Sequence, residues 1–524
     1  MTERIRLTVP FFLLLLLTFG FRTLQLDADP PPDFSWSGGY FADEGFWSHN
    51  ARNAVLFDDP VQDEWDARIV SPIFARVQQL IFHLFGAGFT QVRIVGVLSS
   101  LLLAGVSFLL FRRQFDTQKS FLISVLIAFN YPMMVLGRQG ILDPFAAALA
   151  WLAFLLAMRE SSLSCVLAGI CLVGACVTKY LMIYTALPLL LLFWTPRKIL
   201  PFVVGIAAAV IPWLLLNYFP HKELLSAYSA FYASQQSWEF AAVLKNMALQ
   251  PFFLYFVKTP AILCMGNVAL WFFLLRYRKS NPLERACFVW LVSGILFFAI
   301  WRYRPVRYYT SLIPVLAALA AFALFRIEEI AEAFREGKFR LLLVTGILLP
   351  VVQIAFVLID RLAGWNFVPS QLGIHTADAI LFIAFSGVVI IALRSSKRKW
   401  VGWGFVVVFL LSDFWNYSEW MLKPEYSALM ISRDLQARAP HAVVTGQWAP
   451  ELCLANDLRA IPVWRGFVNS KDPFRKYGIT HVLQWEYALG GEKFEDWYPE
   501  DFQNFHLVTK YSIKGSDLNL YERK

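Results

Sequence analysis

Two adjacent acids, Asp43 and Glu44, lie in the run Tyr40-Phe41-Ala42-Asp43-Glu44-Gly45-Phe46-Trp47-Ser48-His49-Asn50-Ala51-Arg52-Asn53. A carboxylate in such a place can take a proton from a hydroxyl, and it can equally cap the helix that follows by accepting an orphan backbone N–H. Both readings of Asp43 stand. Neighbouring positions on a helix point about 100° apart, so the two acids need not share a ligand and are not a metal pair by spacing. His49 is a lone histidine, which fits a hydrogen-bonded structural residue better than a ligand. No H-E-x-x-H, C-x-x-C, P-loop or G-x-S-x-G motif occurs, which removes support for zinc proteases, P-loop ATPases and serine hydrolases.

Three further polar turns interrupt apolar sequence. Gly137-Arg138-Gln139-Gly140-Ile141-Leu142-Asp143-Pro144 carries an Arg and an Asp where a charge at the bilayer centre would cost about 2.5–3.5 kcal/mol, so both belong at an interface or in a polar cavity. An ion pair closing the turn, with Pro144 opening the next helix, explains them equally well. Thr178-Lys179-Tyr180 forms a second turn. The third, Trp301-Arg302-Tyr303-Arg304-Pro305-Val306-Arg307-Tyr308-Tyr309-Thr310, holds three arginines whose forks suit phosphate oxygens; an interfacial belt of aromatics and snorkelling arginines is the other reading. The segment 218–251, with Tyr228, Phe231, Tyr232, Gln235, Gln236, Trp238 and Glu239, suits either a sugar-facing lid or an amphipathic helix lying on the surface.

The elements that must position these residues are membrane helices. Of 524 residues, 58% are hydrophobic and 16% charged, which excludes a soluble globule, and 48 Phe with 19 Trp exclude disorder. About 20 apolar residues make one span. Thirteen runs qualify, near 7–26, 92–111, 121–137, 143–158, 163–178, 181–194, 199–217, 252–275, 286–301, 308–325, 341–359, 375–393 and 400–418. The first reads as a retained span, because Asp27, Asp29 and three prolines follow it instead of a small-residue cleavage site. Every second loop is basic: Arg112, Arg113 and Lys119; Arg159; Arg197 and Lys198; Arg276 to Arg285; Arg326 to Arg340; Arg394 to Lys399. Basic loops stay on the cytoplasmic side, so the N-terminus is expected inside and the C-terminus outside.

That parity puts residues 27–90, 137–142, 218–251 and 301–307 on the outer face, with residues 1–420 forming the transmembrane domain and 27–90 its catalytic outer loop. Residues 421–524 read as a small extracytoplasmic α/β domain, with a helix near 427–437, a strand 441–445, a helix 450–456, a strand 479–484 and strand formers to 521; no catalysis is assigned to it. The net charge of +9 resides in the membrane part and reads as anchoring on anionic lipid, with no nucleic-acid partner expected. Five of the six cysteines lie in apolar runs as small hydrophobes, so no disulfide framework is expected.

Asp43-Glu44, Ser71-Pro72, Leu84-Phe85-Gly86, Arg93, Leu142-Asp143-Pro144, Thr178-Lys179 and Arg307-Tyr308-Tyr309 with Pro314 come in the order seen in C-type polytopic glycosyltransferases. The chain most resembles glycosyltransferase family 39, the protein O-mannosyltransferases and aminoarabinose transferases, over about residues 1–325. The resemblance implies a polytopic α-helical fold of about thirteen spans with a small outer α/β domain. It also implies a polyprenyl-phosphate sugar donor and inverting transfer to a hydroxyl on a lipid, glycan or protein at the outer face of the inner (plasma) membrane. On that reading Asp43 is the general base and Glu44 orients Asp43 or the acceptor. Lys179, Arg302, Arg304, Arg307, Tyr308 and Tyr309 hold the departing phosphate, and Arg138 and Asp143 support Asp43. No cofactor is fixed, and a role for a divalent cation stays open. Lys179 precedes Tyr180 where the aminoarabinose transferases usually have glycine, and the tail shares no motif with either subgroup, so neither sugar nor acceptor is carried over. The rival reading from the same spans and charges is a transporter or flippase of lipid-linked saccharides, although no repeated halves are visible in the sequence.

Overall fold

Apolar runs of this length fold as helices because only a helix satisfies its own backbone polar groups in an apolar setting. The protein, here a computed structural model, is described for residues 2–31, 39–193, 195–248, 258–302, 305–335, 338–364, 376–395, 397–486, 493–513 and 516–524. Among these, five helices are long and apolar enough to cross a membrane: Phe89–Phe111, Arg197–Tyr218, Pro260–Lys279, Pro282–Ala299 and Thr376–Arg394. Six shorter apolar helices, among them Leu142–Ala157, Ser162–Thr178 and Ile313–Phe325, accompany them. The chain is a mostly helical multi-pass membrane protein; the expected run at 252–275 begins outside the described residues.

Local chemistry explains where runs and helices part company. The single run expected over 121–137 is two helices, Thr117–Phe129 and Tyr131–Leu136, because Asn130 caps the second through Met133 N–H (3.0 Å) and Pro132 lies in its first turn. The run at 181–194 starts as a 3-10 turn, Tyr180–Thr185, before the helix Ala186–Leu192. Short helices also form in polar sequence, at Gly39–Leu56, Pro72–Phe85, Lys222–Ser234 and Phe240–Ala248.

The basic loops gather at one end of the helices. Arg113 donates to the Met158 carbonyl (3.0 Å), the Lys119 ammonium lies 5.7 Å from the Phe325 ring centroid, Arg326 binds Glu284 (2.8 Å), and Arg398 pairs with Glu328. At the other end sits a five-stranded sheet, ordered β2-β1-β3-β5-β4, from β1 (Val443–Thr445), β2 (Arg459–Ile461), β3 (His481–Glu486), β4 (Phe505–Ile513) and β5 (Ser516–Arg523). β1 runs parallel to β2 and β3, and the hairpin β4–β5 closes antiparallel on β3. Three-residue β2 is absent from the strands expected from sequence because it is too short to show a period of two.

One apolar cluster joins this sheet to the loop helices, since Phe46, Trp47, Trp65 and Phe74 share a core with Trp448, Leu452, Leu483 and Leu518. Polar contacts reinforce it. Arg52, fully buried, donates to the carbonyls of Asn456 (2.6 Å) and Leu458 (2.7 Å), and Asp29 accepts from Ser427 N–H (2.7 Å). His49 is spent on Asp63 (2.7 Å), and Asn50 donates to the carbonyls of Pro60 and Trp65, so the polar residues of the Gly39–Leu56 helix hold its surrounding loops.

Candidate active site between the loop helix and the C-terminal sheet

Asp43 lies near the start of the Gly39–Leu56 helix, and the helix is fixed by its neighbour. Glu44 points the other way, into a buried clamp where Arg93 meets both of its oxygens (2.7 and 3.0 Å) and Gly140 N–H donates a third bond (2.7 Å). Arg93 spends its remaining donors on the carbonyls of Leu26 (2.8 Å) and Ala28 (2.7 Å). The next residue, Gly45, donates its N–H to Glu451 (2.5 Å), and a Cβ there would lie 2.3 Å from the Glu451 backbone. Only glycine allows the short helix Ala449–Leu452 to approach that closely.

Asp43 meets Arg307 at 2.6 Å, although 264 positions separate them in the chain. Arg307 sits on the 3-10 turn Val306–Ser311, closed by the Thr310 hydroxyl on the Arg307 carbonyl (2.6 Å). Beside it, Asp143, in the first turn of the helix Leu142–Ala157, pairs with Lys179, which follows the last turn of Ser162–Thr178. Ser71 fixes that turn by donating to the Thr178 carbonyl (3.0 Å). Tyr308 joins the two pairs: its ring centroid is 4.3 Å from the Lys179 ammonium and 5.5 Å from the Arg307 guanidinium. Burial pushes the Asp43 carboxyl up to about 6 from an ordinary 3.8, against the pull of Arg307 and Lys179, and nearby Asp143 and Glu44 add to the rise.

These residues line a cavity of about 1210 Å³. One lobe runs between apolar helices past Leu172, Val173, Cys176, Ile206, Val210 and Trp213; the other lies under the sheet against Trp448, Trp464, Phe467 and Trp485, with Phe231, Tyr232, Gln235 and Gln236 from the Lys222–Ser234 helix and the residues after it. The charged groups stand between a channel fit for an alkyl chain and a chamber of aromatic faces.

Of the residues singled out from sequence, Asp43, Asp143, Lys179, Arg307 and Tyr308 share this cavity, and Glu44 does not line it. Arg138 turns away, donating to the Gln25 carbonyl with its guanidinium 4.9 Å from the Trp420 ring. Tyr309 is fully buried against Phe298, centroids 5.0 Å apart. Arg302 is exposed, its backbone N–H bonded to Gln235 O (2.9 Å), and Arg304 lies outside the described residues. Among the described residues no group of three or more His, Cys, Asp or Glu is placed to hold a metal ion. Sequence reasoning missed the tail's contribution: Gln447, Trp448, Trp464, Phe467 and Trp485 all reach the cavity. The available signal was large aromatics in short loops of an otherwise polar segment, Trp464 and Phe467 flanking Gly466 at φ +75°.

Residues 70–217 match the model of the family described as dolichyl-phosphate-mannose-protein mannosyltransferase. No curated protein matches the chain in sequence. Among solved structures, ArnT from Cupriavidus metallidurans bound to undecaprenyl phosphate is similar at a TM-score of 0.57 and 17% identity, over 98% of this chain and 97% of that one. The same protein in its apo state gives 0.56 and 16%, with the same coverage. Motif order, the matched segment and the shared fold thus agree: the chain has the C-type polytopic glycosyltransferase fold and resembles glycosyltransferase family 39.

Proposed function

We propose that the protein transfers a sugar from a polyprenyl-phosphate donor to an acceptor hydroxyl, with Asp43 as general base. The observation that carries this is the Asp43–Arg307 pair at 2.6 Å, set where an apolar channel meets an aromatic chamber. An isoprenoid tail fits the channel, its phosphate meets Arg307, Lys179 and Tyr308, and the sugar extends toward the chamber. The similar ArnT structure, with undecaprenyl phosphate bound, supports a donor of this class.

The acceptor oxygen attacks the anomeric carbon while its proton passes to Asp43. The bond from that carbon to the phosphate oxygen breaks, and the electron pair leaves on the phosphate, where the cations stabilise it. A single displacement of this kind inverts the anomeric centre. A guanidinium carries five N–H donors, so Arg307 can hold Asp43 and the phosphate together and align attack with departure. Asp143 sets the position of Lys179. Glu44, Arg138 and Tyr309 act by positioning the backbone around the site, and Arg302 adds positive charge on the neighbouring loop. Basic loops at the far end from the site support a reading in which it faces outward from the plasma membrane, with the N-terminus cytoplasmic, residues 1–420 in the membrane domain and 421–524 outside.

The test is transfer of a labelled sugar from polyprenyl phosphate by the purified protein in lipid nanodiscs, supplied with an envelope extract as acceptor. Label is expected on extract components with wild type and not with Asp43→Asn. Label that crosses the bilayer on an intact lipid carrier, without transfer, would make the protein a flippase instead.

A further inference from the structure

The charge inventory of the cavity bears on the acceptor. Among the described lining residues the charged side chains are Asp43, Asp143, Lys179 and Arg307, two acids and two cations already paired at one spot. The chamber under the sheet is lined instead by aromatic faces and by the amides of Gln235, Gln236 and Gln447. The cation nearest in sequence to its wall, Arg465, points elsewhere, its guanidinium 5.8 Å from the Trp497 ring.

The chamber wall is built rigidly. Trp464 and Phe467 belong to one turn, with Phe467 N–H on the Trp464 carbonyl (2.9 Å) and Trp464 N–H on the Val468 carbonyl (2.9 Å). Phe467 stacks on Phe231 at 4.4 Å and 17°, while Trp464 stands at 84° to Phe467 and at 71° to Phe46. Phe46 lies three positions after Asp43, one turn along the same side of the helix. Trp464 is thus one ring contact, 6.1 Å between centroids, from a residue that shares its helix face with the proposed base, and both line the same cavity.

We propose that this chamber is an acceptor subsite for an uncharged saccharide, an inference that rests on the glycosyl-transfer reading above. A pyranose has an apolar C–H face suited to an aromatic plane and a rim of hydroxyls suited to side-chain amides. A phosphorylated acceptor would bury anionic oxygens against a lining whose described residues include no cation beyond Lys179 and Arg307. An extended peptide brings a donor and an acceptor at every residue, more than the amides here can pair. The cavity exceeds the roughly 300–1,000 Å³ of a single small-ligand pocket, which leaves room for the donor head and an acceptor ring together.

The experiment uses the full chain in nanodiscs with a labelled polyprenyl-phosphate sugar and three acceptor probes: a mixture of uncharged gluco-, galacto-, manno- and N-acetylhexosamine tetrasaccharides, a bisphosphorylated glycolipid, and a Ser/Thr-rich peptide. Transfer to the neutral saccharides is expected, with Trp464→Ala raising their KM about ten-fold while kcat changes less, and Trp464→Phe restoring most of the loss. Transfer confined to the glycolipid or the peptide would overturn the subsite and leave the glycosyltransferase reading intact, as would an unchanged KM in Trp464→Ala. Binding of unlabelled polyprenyl phosphate, read as a thermal shift of the wild type, is measured in parallel; its absence would bring down the donor reading and the subsite together.

Discussion

Asp43 and Glu44 share a chemistry and a peptide bond, and the two sides of their helix treat them in opposite ways. On one side Glu44 is sealed in: Arg93 and Gly140 saturate its oxygens, and Arg93 ties in the Leu26 and Ala28 carbonyls besides. On the other, Asp43 faces a large cavity with Arg307 as its ion partner and its proton affinity raised by burial. A saturated carboxylate holds shape, because any change in its charge leaves a buried partner unpaired. An acid beside open space and a donor-rich guanidinium can exchange a proton with a visitor. The contrast separates the group that fixes the helix from the group that the helix presents.

The comparison is broken most sharply by neutralising the one acid and stripping the other of its partner. Asp43→Asn is expected to lower sugar transfer by about 10²–10⁴-fold, the usual worth of a general base, with the melting temperature of the detergent-solubilised protein held near wild type. Arg93→Ala is expected to do the reverse, destabilising the protein by about 3–5 kcal/mol because Glu44 is left buried and unpaired; a melting temperature unchanged in this variant would show that the clamp holds nothing. Gly45→Ala drives a Cβ into the Glu451 backbone and is expected to cost about 1–3 kcal/mol in thermal unfolding, with a loss of transfer rate as Asp43 shifts from Arg307. The pH profile sharpens the same contrast. A carboxyl serves as a base only when ionised, so on the proposed role of Asp43 kcat/KM should rise about ten-fold per pH unit up to the carboxyl's value of about 6 and level off above it. Arg307→Gln removes the strongest attraction favouring the ionised form and should move that limb to higher pH; an unmoved limb would mean that another group titrates.

Much of the architecture could be read from the chain because it rests on local rules. Apolar runs became helices, the alternating basic loops collected at one end, and the motif order pointed to the C-type fold. The strands at 441–445 and 479–484 were visible because they alternate or run apolar between turn residues, and the structure has them at Val443–Thr445 and His481–Glu486. What stayed hidden depends on partners far away in sequence. Nothing near Glu44 announces Arg93, 49 positions on, and nothing near Arg138 announces the Gln25 carbonyl and the Trp420 ring that engage it. The polar tail gave no hint that Trp448 and Trp464 look into a chamber whose charged floor is built by residues 43, 143, 179 and 307. Sequence marks which residues are unusual for their surroundings; only the fold decides which of them meet.

The seam between Gly45 and Glu451, with Arg52 gripping the Asn456 and Leu458 carbonyls, has a consequence for biosynthesis. A ribosome that has delivered the apolar helices has still made only an open trough, because the roof follows them in the chain and is bolted to a rim that precedes most of them. The cavity therefore becomes enclosed, and sheltered from bulk water, only when late and early segments lock together.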